Sequence, residues 1–266
     1  MGKQLTDVQN ERQSILRDYL LITFTRIMGS VSLFFTLIFL FAGSLNLVKL
    51  EVGESGKLLL NLFLSISFFI QHSGMIRKSF RRWLAKFIEE KYHGALFTIA
   101  SSILLLLLIV LWQESSYTLV SAQEGLRWLL RAAFVLSFFG FFWGIRSLGS
   151  FDTFGFVPIW RGMKGTSDKP SHFRVRGPYR WVRHPLYLFC LLMIWSCPDL
   201  TADRLLFNFS WTVWIIIGTT LEEKDLVELF GDEYEAYQSE VPMLIPNRIR
   251  PARRLGPSFN SKRGLL

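Results

Sequence analysis

"RGPYRWVRHPLYLFCLLMIWSCP", residues 176–198, sets three arginines, a histidine and two prolines in front of an apolar run, Leu186–Pro198, that carries no charge. Apolar stretches of this kind, uncharged apart from Arg131 and Arg146 in the fourth, recur along the chain at Ile27–Val48, Leu58–Ile76, Ala95–Trp112, Trp128–Leu148 and Leu205–Leu221. About 20 predominantly apolar residues are needed to cross a bilayer as a helix, and a lipid-exposed backbone has few other ways to satisfy its N–H and C=O groups. The pattern predicts an all-α, polytopic membrane protein with five to six transmembrane helices. Composition agrees: 50% of the 266 residues are hydrophobic and 15% aromatic, more than a soluble domain can hide behind one charged surface. The run within the quoted stretch is short, and Pro198-Asp199 separates it from the next, so these two are expected to form a hairpin that crosses incompletely.

The net charge of +9 has a distribution that explains most of it. Lys and Arg gather before the first span, after the second, after the fourth and in the tail, and are sparse in the alternate loops. Basic residues stay on the cytoplasmic side of a membrane helix, so both termini are expected in the cytoplasm and nucleic acid is not needed as a partner. Residues 1–26 show no apolar core ending in a small-residue cleavage site, so they are expected to be a cytoplasmic segment and not a signal peptide. The domain reading is therefore 1–26 cytoplasmic, 27–149 carrying the first four spans, 150–246 a loop, hairpin and closing helix, and 247–266 a flexible basic tail with Pro, Gly and scattered charge. Nothing in the pattern specifies an oligomeric state.

Polar residues collect at the cytoplasmic ends of the spans. Glu222-Glu223 directly follows "TVWIIIGTTL", a depth at which ionisable groups are costly unless paired or hydrated. They are either an ordinary interfacial pair or carboxylates turned inward for a cation, with Arg183 and its neighbours within reach of an ion-pair lattice. In His184-Pro185, proline drives His184 out of the α region and opens a helix, leaving amide donors and the imidazole at a helix N-terminus suited to an anion. Beyond the last span, Gly231 is a helix stop, Asp232 a candidate cap, and Pro242 an end; Tyr234 and Tyr237, three apart, share a face of the short helix between them. His72 closes the second span and is either an interfacial polar residue or a general base, with Asp152 of "FDTFG" available to orient it. The four histidines lack ligand spacing with Cys or carboxylates, so no metal site is expected.

"GPYRWVRHPLY", a hairpin, then "EEKDLVELFGDEYEAYQSEVPMLIP" resembles the C-terminal half of the isoprenylcysteine carboxyl methyltransferase-like membrane enzymes. "QHSGMIRKSFRRW" and "FDTFG" are similar to the methanethiol S-methyltransferase branch, which shares features with NnrU-like membrane proteins. The resemblance implies a methyltransferase using S-adenosyl-L-methionine, in a pocket at the cytoplasmic leaflet of a bacterial membrane, with a small thiol as substrate and lipid around it. Carried over to this sequence, Tyr179, Arg183, His184, Pro185 and Tyr187 form the first cofactor motif, Glu222 and Glu223 the second, and Tyr234 and Tyr237 the closing helix. A thiol must lose its proton to become a nucleophile. His72, oriented by Asp152, is the expected base, and Arg183 the expected charge beside the thiolate. Three rival readings remain: a prenylcysteine carboxylate or lipid acceptor, an NnrU-like accessory protein without catalysis, and a sterol-reductase-like enzyme that shares an Arg-His-Pro corner.

Overall fold

The computed structural model describes residues 2–149, 152–166, 175–248 and 250–252, with backbone only at 2–8 and Glu11. Ser150, Phe151, His172 and the tail beyond Ala252 lie outside the described residues, as does most of the hydrophilic loop that precedes Val175. Helices are α1 (Gly2–Ala42), α2 (Glu54–Ile76), α3 (Lys78–Leu84), α4 (His93–Leu111), α5 (Glu124–Leu148), α6 (Val157–Lys164), α7 (Pro185–Trp195), α8 (Ala202–Phe230) and α9 (Asp232–Glu240). Two short strands, β1 (Thr118–Ser121) and β2 (Asp199–Thr201), pair antiparallel, with Ser121 opposite Asp199. Five helical stretches are long and apolar enough to cross a membrane: Arg12–Ala42, Glu54–Ile76, Glu90–Leu111, Glu124–Leu148 and Ala202–Phe230. The chain is an all-α, multi-pass membrane protein.

The described residues fall into two compact units. The first holds α1 apart from its last turn, with α2, α3, α4 and α6. The segment ahead of Ile27 is helical too, and α1 runs from Gly2 without a break into the apolar stretch. Asp18, 3% exposed, shows how a charged segment continues a membrane helix: Tyr92 donates its hydroxyl to Asp18 Oδ1 at 2.7 Å, Lys91 Nζ lies 3.4 Å from Oδ2, and Arg17 donates to the Tyr92 oxygen at 2.7 Å. Toward the other ends of α2 and α4, the Asn61 side chain donates Nδ2 to the Gln113 carbonyl at 2.7 Å and accepts the Gln113 amide on Oδ1 at 2.9 Å. Buried polar groups of this sort persist in a membrane span only when paired.

The second unit holds the last turn of α1 with α5, α7, α8, α9 and the strands. Its main joint is α5 against α7. A Cβ at Gly140 would sit 2.3 Å from the Phe189 ring and one at Gly144 2.6 Å from Leu186, so only glycine at both positions lets the helices approach this closely. At eleven residues α7 is about 16 Å long, roughly half a bilayer core, as the short apolar run implied. The β1–β2 pair is the one piece of sheet among the described residues, and Arg127 fastens it through two 2.6 Å bonds to Asp199. That guanidinium holds the Asp199 carboxyl below the usual carboxylate range. Arg131 and Arg204 donate to the carbonyls of Phe41 and Leu40, so cations cap the C-terminal turn of α1.

Candidate functional site

The second unit brings the RHP corner, the paired glutamates and the closing helix together. The corner forms as proline dictates. His184 has φ −121° and ψ 66°, outside the helical region, and Pro185 is the first residue of α7, where its missing N–H is no loss. The backbone of this corner is held by the segment after α9, because the amides of Arg183 and His184 donate to the carbonyls of Pro242 and Met243 at 2.9 and 3.1 Å. Gly231, at φ +54° and ψ −134°, ends α8 and turns the chain into α9. That backbone region is open to glycine and costly for any residue with a Cβ. Asp232 is the first residue of α9, but the cap position belongs to Gly231 and no side chain caps the helix.

The turn at Gly231 folds α9 back on α8 and makes Glu223 a hub. Arg183 donates to it with two prongs, Nε to Oε1 at 2.9 Å and Nη2 to Oε2 at 2.7 Å. Tyr234 donates its hydroxyl to Oε1 at 2.7 Å, Gln238 donates Nε2 to Oε2 at 2.6 Å, and His184 Nε2 lies 2.5 Å from Oε1. A carboxylate offers about four lone-pair directions, and five donors fill them. The third nitrogen of Arg183, Nη1, donates to the carbonyls of Gln238 and Val241 at 3.1 and 2.5 Å, the C-terminal end of α9. Arg183 and Glu223 are thus a buried, fully hydrogen-bonded pair, 11% and 9% exposed at their side chains.

Glu222 is the other kind of carboxylate. Its side chain is 43% exposed, it accepts the Tyr187 hydroxyl at 2.7 Å on Oε2, and His184 Nδ1 lies 3.7 Å from the same oxygen. The Tyr187 and His184 rings stack at 5.6 Å with planes 16° apart. Tyr237 donates its hydroxyl to the Tyr179 carbonyl at 2.5 Å and, with Tyr234, Val175 and Val241, forms the small core behind the site. Burial, and for Tyr179 the negative charge of Glu222, raises the phenols of Tyr179, Tyr234 and Tyr237 above the ordinary tyrosine value; for Tyr234 the bond to Glu223 adds to the rise.

The site residues expected from sequence in the second unit, Tyr179, Arg183, His184, Pro185, Tyr187, Glu222, Glu223, Tyr234 and Tyr237, all sit in or against this arrangement. Gln238 was not among the expected residues, although its position one turn after Tyr234 puts it on the same face of α9.

His72 and Asp152 belong to the first unit, and the structure gives them different tasks. Asp152 accepts the amides of Phe156 and Val157 at 3.3 and 2.8 Å and so secures the start of α6. His72 Nδ1 lies 3.4 Å from Ser101 Oγ, and its ring rests against Phe68 and Phe97 at 5.2 and 4.9 Å. Ser101 also receives Gln71 Nε2 at 3.2 Å. Ser101 is thus a polar neighbour of the imidazole, while the two Asp152 contacts go to the α6 amides. Among the described residues no group of three or more His, Cys, Asp or Glu side chains gathers as a metal site would require.

Fold and site together define a multi-pass helical membrane protein whose C-terminal hairpin and closing helix enclose a two-carboxylate polar centre. The chain belongs to the NnrU protein family, whose model matches residues 59–244, a stretch that includes most of α2, all of α8 and α9, and every residue of that centre. Among curated relatives, the methanethiol S-methyltransferase of Pseudomonas sp. (strain GM41(2012)) is 40% identical over 199 residues, 71% of this chain and 74% of its own. That of Crocosphaera subtropica is 30% identical over 252 residues, 89% and 97% of the two chains. Nurim of Xenopus laevis is 36% identical over 67 residues, 24% of each chain. No solved structure matches the chain.

Proposed function

We propose that this protein is an integral-membrane methyltransferase that takes its methyl group from S-adenosyl-L-methionine and transfers it to a small thiol, most simply methanethiol, giving dimethyl sulfide. The observation that carries the reading is Glu222, a part-exposed carboxylate with one oxygen engaged by the Tyr187 hydroxyl and near His184, the residue that precedes the first turn of α7. The chemistry of these groups fits the cofactor. Glu222 would hold its amine, the faces of Tyr179 and Tyr187 would lie near its sulfonium, and the first-turn amides of α7 would receive its carboxylate. When bound, the cofactor supplies an electrophilic methyl group on a positively charged sulfur.

The chain's own residues then divide the work. Arg183, His184, Glu223, Tyr234 and Gln238 are positioning residues: their hydrogen bonds are satisfied by one another, and they fix the backbone from which Glu222 and Tyr187 project. Pro185 starts α7 at a position where no N–H is needed, ahead of the first-turn amides. The thiol must be deprotonated, because the thiolate is the nucleophile and free thiols titrate above neutrality. We assign the proton to His72, with Ser101 setting its orientation. His93 is committed through Nε2 to the Ile88 carbonyl and His184 to Glu223, which leaves His72 the better suited of the three described histidines. We place the site at the cytoplasmic leaflet of a bacterial membrane, where basic loops and cofactor supply coincide.

The saturated Glu223 cluster favours a second reading, in which the centre is a structural knot of a non-catalytic NnrU-like membrane protein. The deciding experiment incubates the purified protein in detergent with labelled S-adenosyl-L-methionine and methanethiol and measures headspace dimethyl sulfide. Product formation supports the first reading. Cofactor binding without product redirects it to another acceptor, such as a prenylcysteine carboxylate or a lipid, and absence of binding supports the structural knot.

A further inference from the structure

The segment after α2 carries features that neither the methyl-transfer reading nor the positive charge bias requires. α2 ends at Ile76, Arg77 breaks the helix with an extended backbone (ψ 139°), and α3 begins one residue later. Hydrogen bonds from Ala85 to Arg81 and from Ile88 to Leu84 continue the coil past Leu84. From Arg77 to Ile88 the sequence "RKSFRRWLAKFI" holds five basic residues and no acidic one. At helical spacing the two kinds of side chain separate. Phe80, Trp83 and Phe87 form a continuous aromatic row, with ring centroids 5.4 and 5.3 Å apart, whereas Arg81, Arg82 and Lys86 project from the rest of the circumference. Trp83 and Phe87 are 52% and 70% exposed, while Leu84 is buried and anchors the segment.

We propose that this segment is an interfacial helix that binds anionic phospholipid, its aromatic row entering the boundary between headgroups and acyl chains and Arg81, Arg82 and Lys86 holding lipid phosphate. Chain connectivity sets the depth: one residue separates α3 from the end of a membrane-spanning helix, so the segment sits at the headgroup level. An aromatic face beside an uncompensated cationic face is the pattern of helices that lie in that plane. The same position argues against a soluble polyanion, which would leave Trp83 and Phe87 in water. Near an anionic surface each Lys or Arg strengthens association about fivefold, and salt weakens the attraction.

The test uses the full-length protein in detergent, titrated with phosphatidylglycerol or phosphatidylcholine and read by native mass spectrometry, beside the variant Arg81→Gln/Arg82→Gln/Lys86→Gln. The wild type is expected to prefer phosphatidylglycerol by about tenfold or more, with the preference falling as salt rises, and the variant to bind both lipids alike. The three single variants, each expected to lose a share, carry the test if the triple variant does not fold. Equal binding of both lipids by the wild type, an undiminished preference in the variants, or displacement of phosphatidylglycerol by equimolar inorganic phosphate would overturn the proposal. Because the readout is lipid binding, it is independent of methyl transfer.

Discussion

Arg183 and Glu223, forty residues apart in the chain, meet in a two-pronged ion pair at 2.9 and 2.7 Å that joins the start of the hairpin to the end of its long helix. A buried pair of this kind gives little net stability over an apolar replacement, yet removing one partner strands the other's charge. Arg183→Met and Glu223→Met are each expected to destabilise the folded protein by about 3–5 kcal/mol. The double variant should cost less than the two singles together by about 1–3 kcal/mol, measured as thermal unfolding in detergent. Strict additivity would show that the pair is not coupled. Arg183→Lys should behave as a loss, because an ammonium cannot supply two prongs to a carboxylate and a third donor to the end of α9.

Gly231 decides whether α9 can reach Glu223 at all. At φ +54° and ψ −134° a Cβ is strained, so Gly231→Ala is expected to cost about 1–3 kcal/mol. The reporter is specific: if the turn opens, Tyr234 and Gln238 leave Glu223, and protease cleavage near Gly231 should rise before the rest of the protein unfolds.

The Tyr234 phenol gives a pH signature. Burial and the bond to Glu223 raise it above its ordinary value near 10. A raised group contributes stability that is complete below the unfolded-state value and is lost as pH rises above it toward the folded-state value. The melting temperature of the wild type should therefore fall on the alkaline side of about pH 10. Tyr234→Phe, less stable at neutral pH, should show a shallower alkaline decline, and parallel curves would rule out this origin.

Much of this architecture is legible in the sequence because its causes are local. A glycine stop at 231, a proline start at 185 and apolar runs of spanning length each act within a few residues, and α8, α9 and α7 follow them. The start of α1 was hidden because the partners that neutralise Asp18, Lys91 and Tyr92, lie more than seventy residues away. The β1–β2 pair was hidden for the same reason. At the site, the sequence supplied the residue types of the polar centre but not the inequality between Glu222 and Glu223. Adjacent residues on a helix point about 100° apart, and only the position of α9 shows which carboxylate is enclosed. Asp152 shows a different ambiguity, since a carboxylate just ahead of a short helix is as well suited to its amide groups as to an imidazole, and here it accepts those of Phe156 and Val157.

His72 separates acid–base chemistry from cofactor binding. His72→Ala is expected to lower kcat by about a hundredfold or more while leaving the affinity for S-adenosyl-L-methionine unchanged. Ser101→Ala, which removes only the oxygen beside Nδ1, should produce a smaller loss in the same direction. Raising the pH increases the thiolate fraction of the acceptor, so the His72→Ala deficit should shrink as pH approaches the thiol's own value. A deficit that stays constant with pH would assign His72 to packing against Phe68 and Phe97.

Glu222 offers the sharpest distinction between a cofactor site and a structural knot, because it neighbours the buried cluster without being part of it. Its side chain is 43% exposed, and Tyr187 is its hydrogen-bond donor, so Glu222→Gln keeps the shape and the bond while removing the charge. The melting temperature should therefore change little, in contrast to the Glu223 variants. If Glu222 holds the amine of S-adenosyl-L-methionine, the dissociation constant should rise about tenfold, equivalent to about 1.4 kcal/mol. Affinity for an analogue that lacks the amine should be unaffected by the substitution. Equal weakening toward both ligands would mean that Glu222 shapes the pocket and does not contact the amine.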